Sequence, residues 1–212
     1  MITLKLATSL DGRIATEAGE SRWITGDAAR SMVHDLRARH HAVVVGVETA
    51  IADDPELTVR TPGYGGPQPA RVVLDSRQRL AATSRLASTA RQIPTYVVAT
   101  TPARASLTDQ GVRVLTLKAR GEHPPLADVV AALSAEGLRD LFVEGGGRVA
   151  ASFLSEGLVD AVEWFRAPIL IGAEGRPGVG PLALRELVGA PRLRRVDVRP
   201  LGDDLWERYE RI

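Results

Sequence analysis

The segment Asp140-Leu-Phe-Val-Glu-Gly-Gly-Gly-Arg-Val-Ala-Ala-Ser-Phe-Leu154 opens on a short apolar run, Leu141-Phe142-Val143. It passes through Glu144 and a run of glycines into Val149, Ala150, Phe153 and Leu154, the spacing of one buried helix face. A strand that turns so abruptly into an amphipathic helix is half of a βαβ unit, the building block of a parallel sheet. Glycines without Cβ let a backbone approach a pyrophosphate closely, and the helix N-terminus offers it free N–H groups and a positive dipole. The turn is a candidate phosphate site; a tight connection that merely needs small residues is the other reading. Gly145 to Ala150 fits G-x-G-x-x-A, yet the true dinucleotide fingerprint opens the first βα unit, and here the match comes late.

Working outward, β-branched apolar runs recur at Ile2–Ala7, Ala42–Val47, Arg71–Leu74, Thr95–Ala99, Val112–Leu117, Asp140–Val143, Val159–Ala167, Leu193–Val198 and Asp204–Tyr209. Helical patterns lie between several of them: Ala29, Met32, Val33 and Leu36, then Leu126, Val129, Val130 and Leu133, then the face quoted above. The alternation predicts an α/β fold with a mostly parallel central sheet flanked by helices. Val162, Trp164 and Leu205-Trp206-Glu207-Arg208-Tyr209 mix apolar with charged residues, which suits antiparallel edge strands and a C-terminal hairpin. The Gly/Pro-rich stretches 61–69 and 172–180 read as surface loops of a single domain over residues 1–212.

Composition narrows the chemistry. With 44% apolar and 25% charged residues the chain is ordinary globular protein, and it contains no Cys. Disulfides, thiolate nucleophiles and Cys-containing metal sites are thereby excluded, and a reducing, cytoplasmic setting fits. The net charge of +1 comes from interspersed residues, so nucleic acid is not an expected partner. The longest apolar runs are too short to span a bilayer. His34, His40, His41 and His123 show no ligand spacing and read as structural or solvated, so no metal is expected. G-x-S-x-G, P-loop and H-E-x-x-H motifs are absent.

The ends of parallel strands are where ligands sit, and the residues there are informative. Asp53-Asp54-Pro55 follows the Val43–Val47 run and reads either as a turn and N-cap or as acid–base chemistry. Arg37, near a helix end, and Arg60, after Leu57-Thr58-Val59, offer guanidinium forks that suit a substrate phosphate. Trp23, in a Gly/Ser-rich segment, is either a platform for a planar ligand or a core plug.

Four ordered blocks, Leu4–Ala15, Gly19–Thr25, Ala52–Arg60 and Phe142–Gly147, strongly resemble the reductase domain of the bifunctional riboflavin-biosynthesis deaminase/reductase. The resemblance covers essentially the whole chain. It implies a dihydrofolate-reductase-like fold, a homodimer, NADPH as hydride donor, and reduction of 5-amino-6-(5-phosphoribosylamino)uracil to its phosphoribitylamino product. Sister activities on the non-deaminated diaminopyrimidinone or on a pterin such as dihydrofolate are the alternatives, with a non-catalytic nucleotide-binding regulator behind them. Carried over position by position, the resemblance implies substrate contacts at Ser21, Arg37, Leu57, Arg60 and Glu144. It implies cofactor contacts at Ala7, Trp23, Thr49, Asp53, Ser76 and through Gly146, Gly147, Arg148, Val149, Ala150, Ala151 and Ser152, with Asp53 assisting ring opening or proton transfer. Glu48 departs from the family pattern, which has a small residue there. The deaminase motifs H-x-E and P-C-x-x-C do not occur in these residues.

Overall fold

The computed structural model describes residues 1–212. In chain order the elements are β1 (Ile2–Thr8), β2 (Arg13–Ala15), α1 (Asp27–Arg37), β3 (Ala42–Gly46), α2 (Val47–Asp53), β4 (Ala70–Leu74), α3 (Arg85–Ser88) and β5 (Thr95–Ala99). There follow α4 (Ala105–Thr108), β6 (Arg113–Thr116), α5 (Leu126–Ala135), β7 (Leu141–Val143), α6 (Gly147–Ser155), β8 (Ala161–Arg166), β9 (Arg176–Pro177), β10 (Leu193–Leu201) and β11 (Asp204–Arg211). They divide into two compact units, Met1–Val33 with Gly146–Ile212, and His34–Gly145.

The unit His34–Gly145 carries strands in the order β7-β3-β4-β5-β6, every neighbouring pair parallel. Val43, Val44 and Val45 on β3 are almost wholly buried, as a central parallel strand covered on both faces must be. One face packs Val43, Val45, Val73, Val97 and Ala99 against Leu80, Leu86, Ala87, Leu107 and Val112. The crossovers from β4 to β5 and from β5 to β6 use α3 and α4, a single turn each, too short to show as periodicity in the sequence. Arg71, fully buried on β4, donates to Thr89 Oγ1, Thr95 Oγ1, Leu86 O and Ile93 O, all neutral acceptors. Burial pulls its pKa down to about 10, so it remains charged at neutral pH.

In the other unit the order is β10-β11-β8-β1, with β8 parallel to β1 and antiparallel to β11. β10 and β11 form the expected C-terminal hairpin. Two sequence readings are corrected here. β8 is not an edge: its charged residue Glu163 is fully buried, accepting from Trp206 Nε1 at 2.7 Å and pairing with Arg208. A paired charge reads as wet in a sequence but is satisfied inside a sheet. The second Gly-rich loop also holds a short strand, since β9 pairs antiparallel with β2.

That loop is tied down by one carboxylate. Asp11 accepts from Gly172 N at 2.7 Å, Ile171 N at 3.2 Å and Ser9 Oγ at 2.6 Å. The Ser9 hydroxyl, then the Gly172 N–H, hold its pKa down at about 2 from an ordinary 3.8. The folded state thus binds this proton more weakly than the unfolded one, so the anchor is complete above 3.8 and is lost as pH falls toward 2. Asp11→Asn is expected to flatten the acid limb of the Tm-against-pH curve within that window, measured by thermal melting from neutral to acid pH.

Candidate functional site

At the C-terminal ends of the parallel strands in His34–Gly145, β3 and β7 run in register, Val44 beside Val143, and Glu144 N donates to Val44 O at 2.9 Å. Glu144 therefore leaves the sheet where an open parallel sheet binds its ligands. Arg37 reaches it from the last turn of α1. Nε donates to Glu144 Oε1 at 2.5 Å and Nη2 to Oε2 at 2.9 Å, a fork on a fork, while Nη1 donates to Thr58 O at 2.9 Å. The two side chains are only 11% and 8% exposed. Burial opposes the Arg37 charge, but the charge of Glu144 and its hydrogen bonds outweigh that and hold the pKa above its ordinary value.

His34, one helical turn before Arg37, places Nδ1 3.0 Å from Thr58 O. Burial first, then the charges of Arg37 and Arg60, push its pKa below 6.5, which favours the neutral ring at pH 7; the same Nδ1 lies 3.3 Å from Arg60 N. Arg60 lies 3.1 Å from Glu56 and keeps 55% of its side chain exposed. Of the two expected phosphate clamps, Arg37 already has its guanidinium engaged by Glu144 and Thr58, while Arg60 faces solvent.

The Asp53-Asp54 pair begins no helix of its own. Asp53 is the last residue of α2 and exposed; Asp54 caps that helix in the left-handed region at φ 38° and accepts from Arg85 N at 2.8 Å, at the start of α3. Thr49 stands half-buried on α2. Leu57 has a φ of 56°, and its side chain is buried in the core, so its backbone is what it has to offer a substrate. A non-glycine residue at that φ costs about 1 to 3 kcal/mol, a strain held by the packing of its side chain. Glu48, the departure from the family pattern, is paired with Arg79 at 2.6 Å. Ser76, just past β4, has Oγ 2.9 Å from His123 Nδ1.

In the other unit, Ala7 on β1 and Ser21 are half-buried. Trp23 is 69% exposed, which removes the core-plug reading; the Arg30 guanidinium lies 4.5 Å from its ring centroid, and the Arg22–Trp23 peptide is cis. Gly146, the N-cap of α6, has a φ of 74° that only glycine adopts at ease, and no side chain caps the helix's first N–H groups. A Cβ on Gly147 would meet Pro177 O at 2.4 Å, so that glycine is required by the protein's own packing. Ala150 and Ala151 point into the core, Arg148 and Ser152 are exposed and Val149 is half-buried. The polar donors of Gly146–Ser152 are therefore concentrated in the first turn.

A family model described as the RibD C-terminal domain matches residues 1–206. The chain belongs to that family. The riboflavin biosynthesis protein RibD of Aquifex aeolicus is 38% identical over 213 residues, covering 98% of this chain and 58% of that protein. The solved structure of Acinetobacter baumannii RibD matches with a TM-score of 0.88 at 35% identity, over 100% of this chain and 58% of that one. A Thermotoga maritima structure, described as a diaminohydroxyphosphoribosylaminopyrimidine deaminase/5-amino-6-(5-phosphoribosylamino)uracil reductase, matches with a TM-score of 0.84 at 25% identity, over 100% and 56%. The chain thus spans just over half the length of these RibD relatives.

Within this RibD C-terminal domain, sequence reasoning missed Thr58 O, which accepts from Arg37 and lies beside His34 Nδ1, because a backbone carbonyl leaves no mark in a sequence. It also set His34 aside as structural, although its spacing of three from Arg37 puts both on one helix face. His40, by contrast, is structural as read, hydrogen-bonded to Leu36 O and stacked on Phe142.

Because each partner of the fork is buried, removing one strands the other. Arg37→Met or Glu144→Met is expected to cost about 3 to 5 kcal/mol, while the double replacement recovers most of that loss. Urea unfolding of the four proteins of this cycle measures the coupling.

Proposed function

We propose that residues 1–212 form the reductase domain of a RibD-type protein, reducing 5-amino-6-(5-phosphoribosylamino)uracil to 5-amino-6-(5-phosphoribitylamino)uracil with NADPH. The observation that carries this reading is the carboxylate of Glu144, oriented by Arg37 at the strand ends, with Arg60 solvent-facing in the same unit. The Thermotoga maritima relative, described as a reductase of this substrate, supports it.

Glu144, locked by Arg37, accepts from N–H groups on the edge of an aminopyrimidine, and its bidentate partner keeps it from rotating. Arg60 takes the ribose phosphate, a group that pterins lack. Ring opening breaks the C1′–O4′ bond: O4′ takes a proton and C1′ becomes an imine carbon. Asp53, exposed at the end of α2, is the residue to deliver that proton. NADPH, when bound, supplies the hydride that C1′ receives. The uncapped first turn of α6 fits a pyrophosphate, and the open face of Trp23 fits a planar ring. The neutralisation of Glu48 by Arg79 removes the repulsion that its carboxylate would otherwise offer to phosphates. A homodimer fits β10, a long edge strand with Val196 and Val198 exposed.

Loss of NADPH absorbance is expected with the phosphoribosylamino-uracil, and not with its diamino precursor or dihydrofolate. Turnover of either comparison substrate alone overturns the substrate assignment. Arg60→Gln is expected to raise KM about tenfold with little change in kcat. Asp53→Asn is expected to lower kcat by about 100-fold, measured by steady-state kinetics.

A further inference from the structure

We infer that Gln68 is a positioning residue for the phosphate end of the substrate: its side-chain amide stands in for a missing strand, holds Val59, and through Val59 sets the backbone that presents Arg60. This rests on the substrate reading above. Residues 54–61 lie in no helix or strand, yet the side chains of Leu57 and Val59 are buried. A buried peptide without a neighbouring strand needs another source of hydrogen bonds. Gln68 supplies both at Val59: Oε1 accepts from Val59 N at 2.7 Å, and Nε2 donates to Val59 O at 3.1 Å. A primary amide carries an acceptor and a donor side by side, so one side chain does what an adjacent strand would do.

The amide is itself held in place. Gln68 lies between Pro67 and Pro69, and a residue before proline is biased toward extended backbone. Ala70, next in the chain, opens β4 and donates its N–H to His41 O at 2.9 Å. On the other side the loop closes around Tyr64, whose N donates to Thr61 O at 3.0 Å and whose hydroxyl donates to Pro67 O at 2.7 Å. A Cβ on Gly66 would come within 2.7 Å of Tyr64 Cζ, so the loop is packed against that ring. Val59 is thereby tied to the sheet through a short, closed loop. The residues on either side of it carry the site. Thr58 O accepts from Arg37 Nη1 at 2.9 Å, and Arg60 N lies 3.3 Å from His34 Nδ1. The Arg60 guanidinium meets Glu56 at 3.1 Å on an exposed surface, a pair too solvated to aim it, so its direction comes from the backbone that Gln68 holds.

The test is calorimetric titration of the full chain with ribose 5-phosphate, together with steady-state kinetics on the phosphoribosylamino-uracil. Gln68→Met removes both hydrogen bonds at similar volume; Gln68→Glu keeps the length and the acceptor but has no N–H for Val59 O. Each is expected to weaken ribose 5-phosphate binding and raise KM for the uracil by about five- to tenfold, with kcat and the KM for NADPH unchanged. Added to Arg60→Gln, Gln68→Met is expected to cause no further loss, because both act through one guanidinium. Unchanged binding in both variants, a parallel rise in the KM for NADPH, or full additivity with Arg60→Gln overturns the inference while leaving the reductase standing. A wild type that neither binds ribose 5-phosphate nor turns over the uracil overturns both.

Discussion

A guanidinium and a carboxylate taken out of water together, Arg37 and Glu144, set the terms for the site in His34–Gly145. Each alone in that position would be untenable; paired as a fork, they fix each other's orientation and bring Thr58 O into the same arrangement. Such a pair is weak evidence for stability, because its attraction is largely offset by desolvation. Its value lies in geometry: Glu144 has few rotamers left, and the guanidinium that holds it carries its charge at every physiological pH. Burial first, and then that positive field, hold the His34 pKa below its ordinary value, which disfavours a second cation on the helix face that delivers Arg37.

The parallel sheet explains why these groups meet at all. Strands that run the same way release their next residues at one edge, so Glu144 after β7, Ser76 after β4 and Asp53 at the end of the helix after β3 all derive from that end of the unit. What differs among them is the degree of restraint. Glu144 is held by two hydrogen bonds to a buried cation, and Ser76 sits on a turn pinned by Gln78 and Thr100, whereas Asp53 is exposed. A fixed carboxylate suits recognition of ring edges, and an exposed one suits proton exchange with a substrate.

Much of the fold is legible in the sequence because burial imposes periodicity. Val43-Val44-Val45 is apolar on both faces, the Leu126, Val129 and Leu133 stripe marks α5, and the charged alternation of residues 204–209 marks an antiparallel strand. Legibility fails where elements are too short or too well compensated to leave a pattern. α3 and α4 are single turns, β2 and β9 are stabilised by each other rather than by a hydrophobic face, and Glu163 hides a buried strand because its charge is matched by Arg208 and Trp206.

For the site, residue identity alone limits the available chemistry: no thiolate, a Glu followed by glycines at a strand end, two arginines suited to phosphate, and an acid pair before a proline. How those groups are used follows from which of them the folded chain brings together. Arg37 and Glu144 stand 107 residues apart, and Ser76 and His123 stand 47 apart, so no local pattern couples them. Whether an arginine's ion pair is solvent-exposed, as that of Arg60 with Glu56 is, or buried, as that of Arg37 with Glu144 is, depends on where the packing places both partners. That is a property of the folded backbone, since desolvation and distance, not residue type, set the strength of a charged contact.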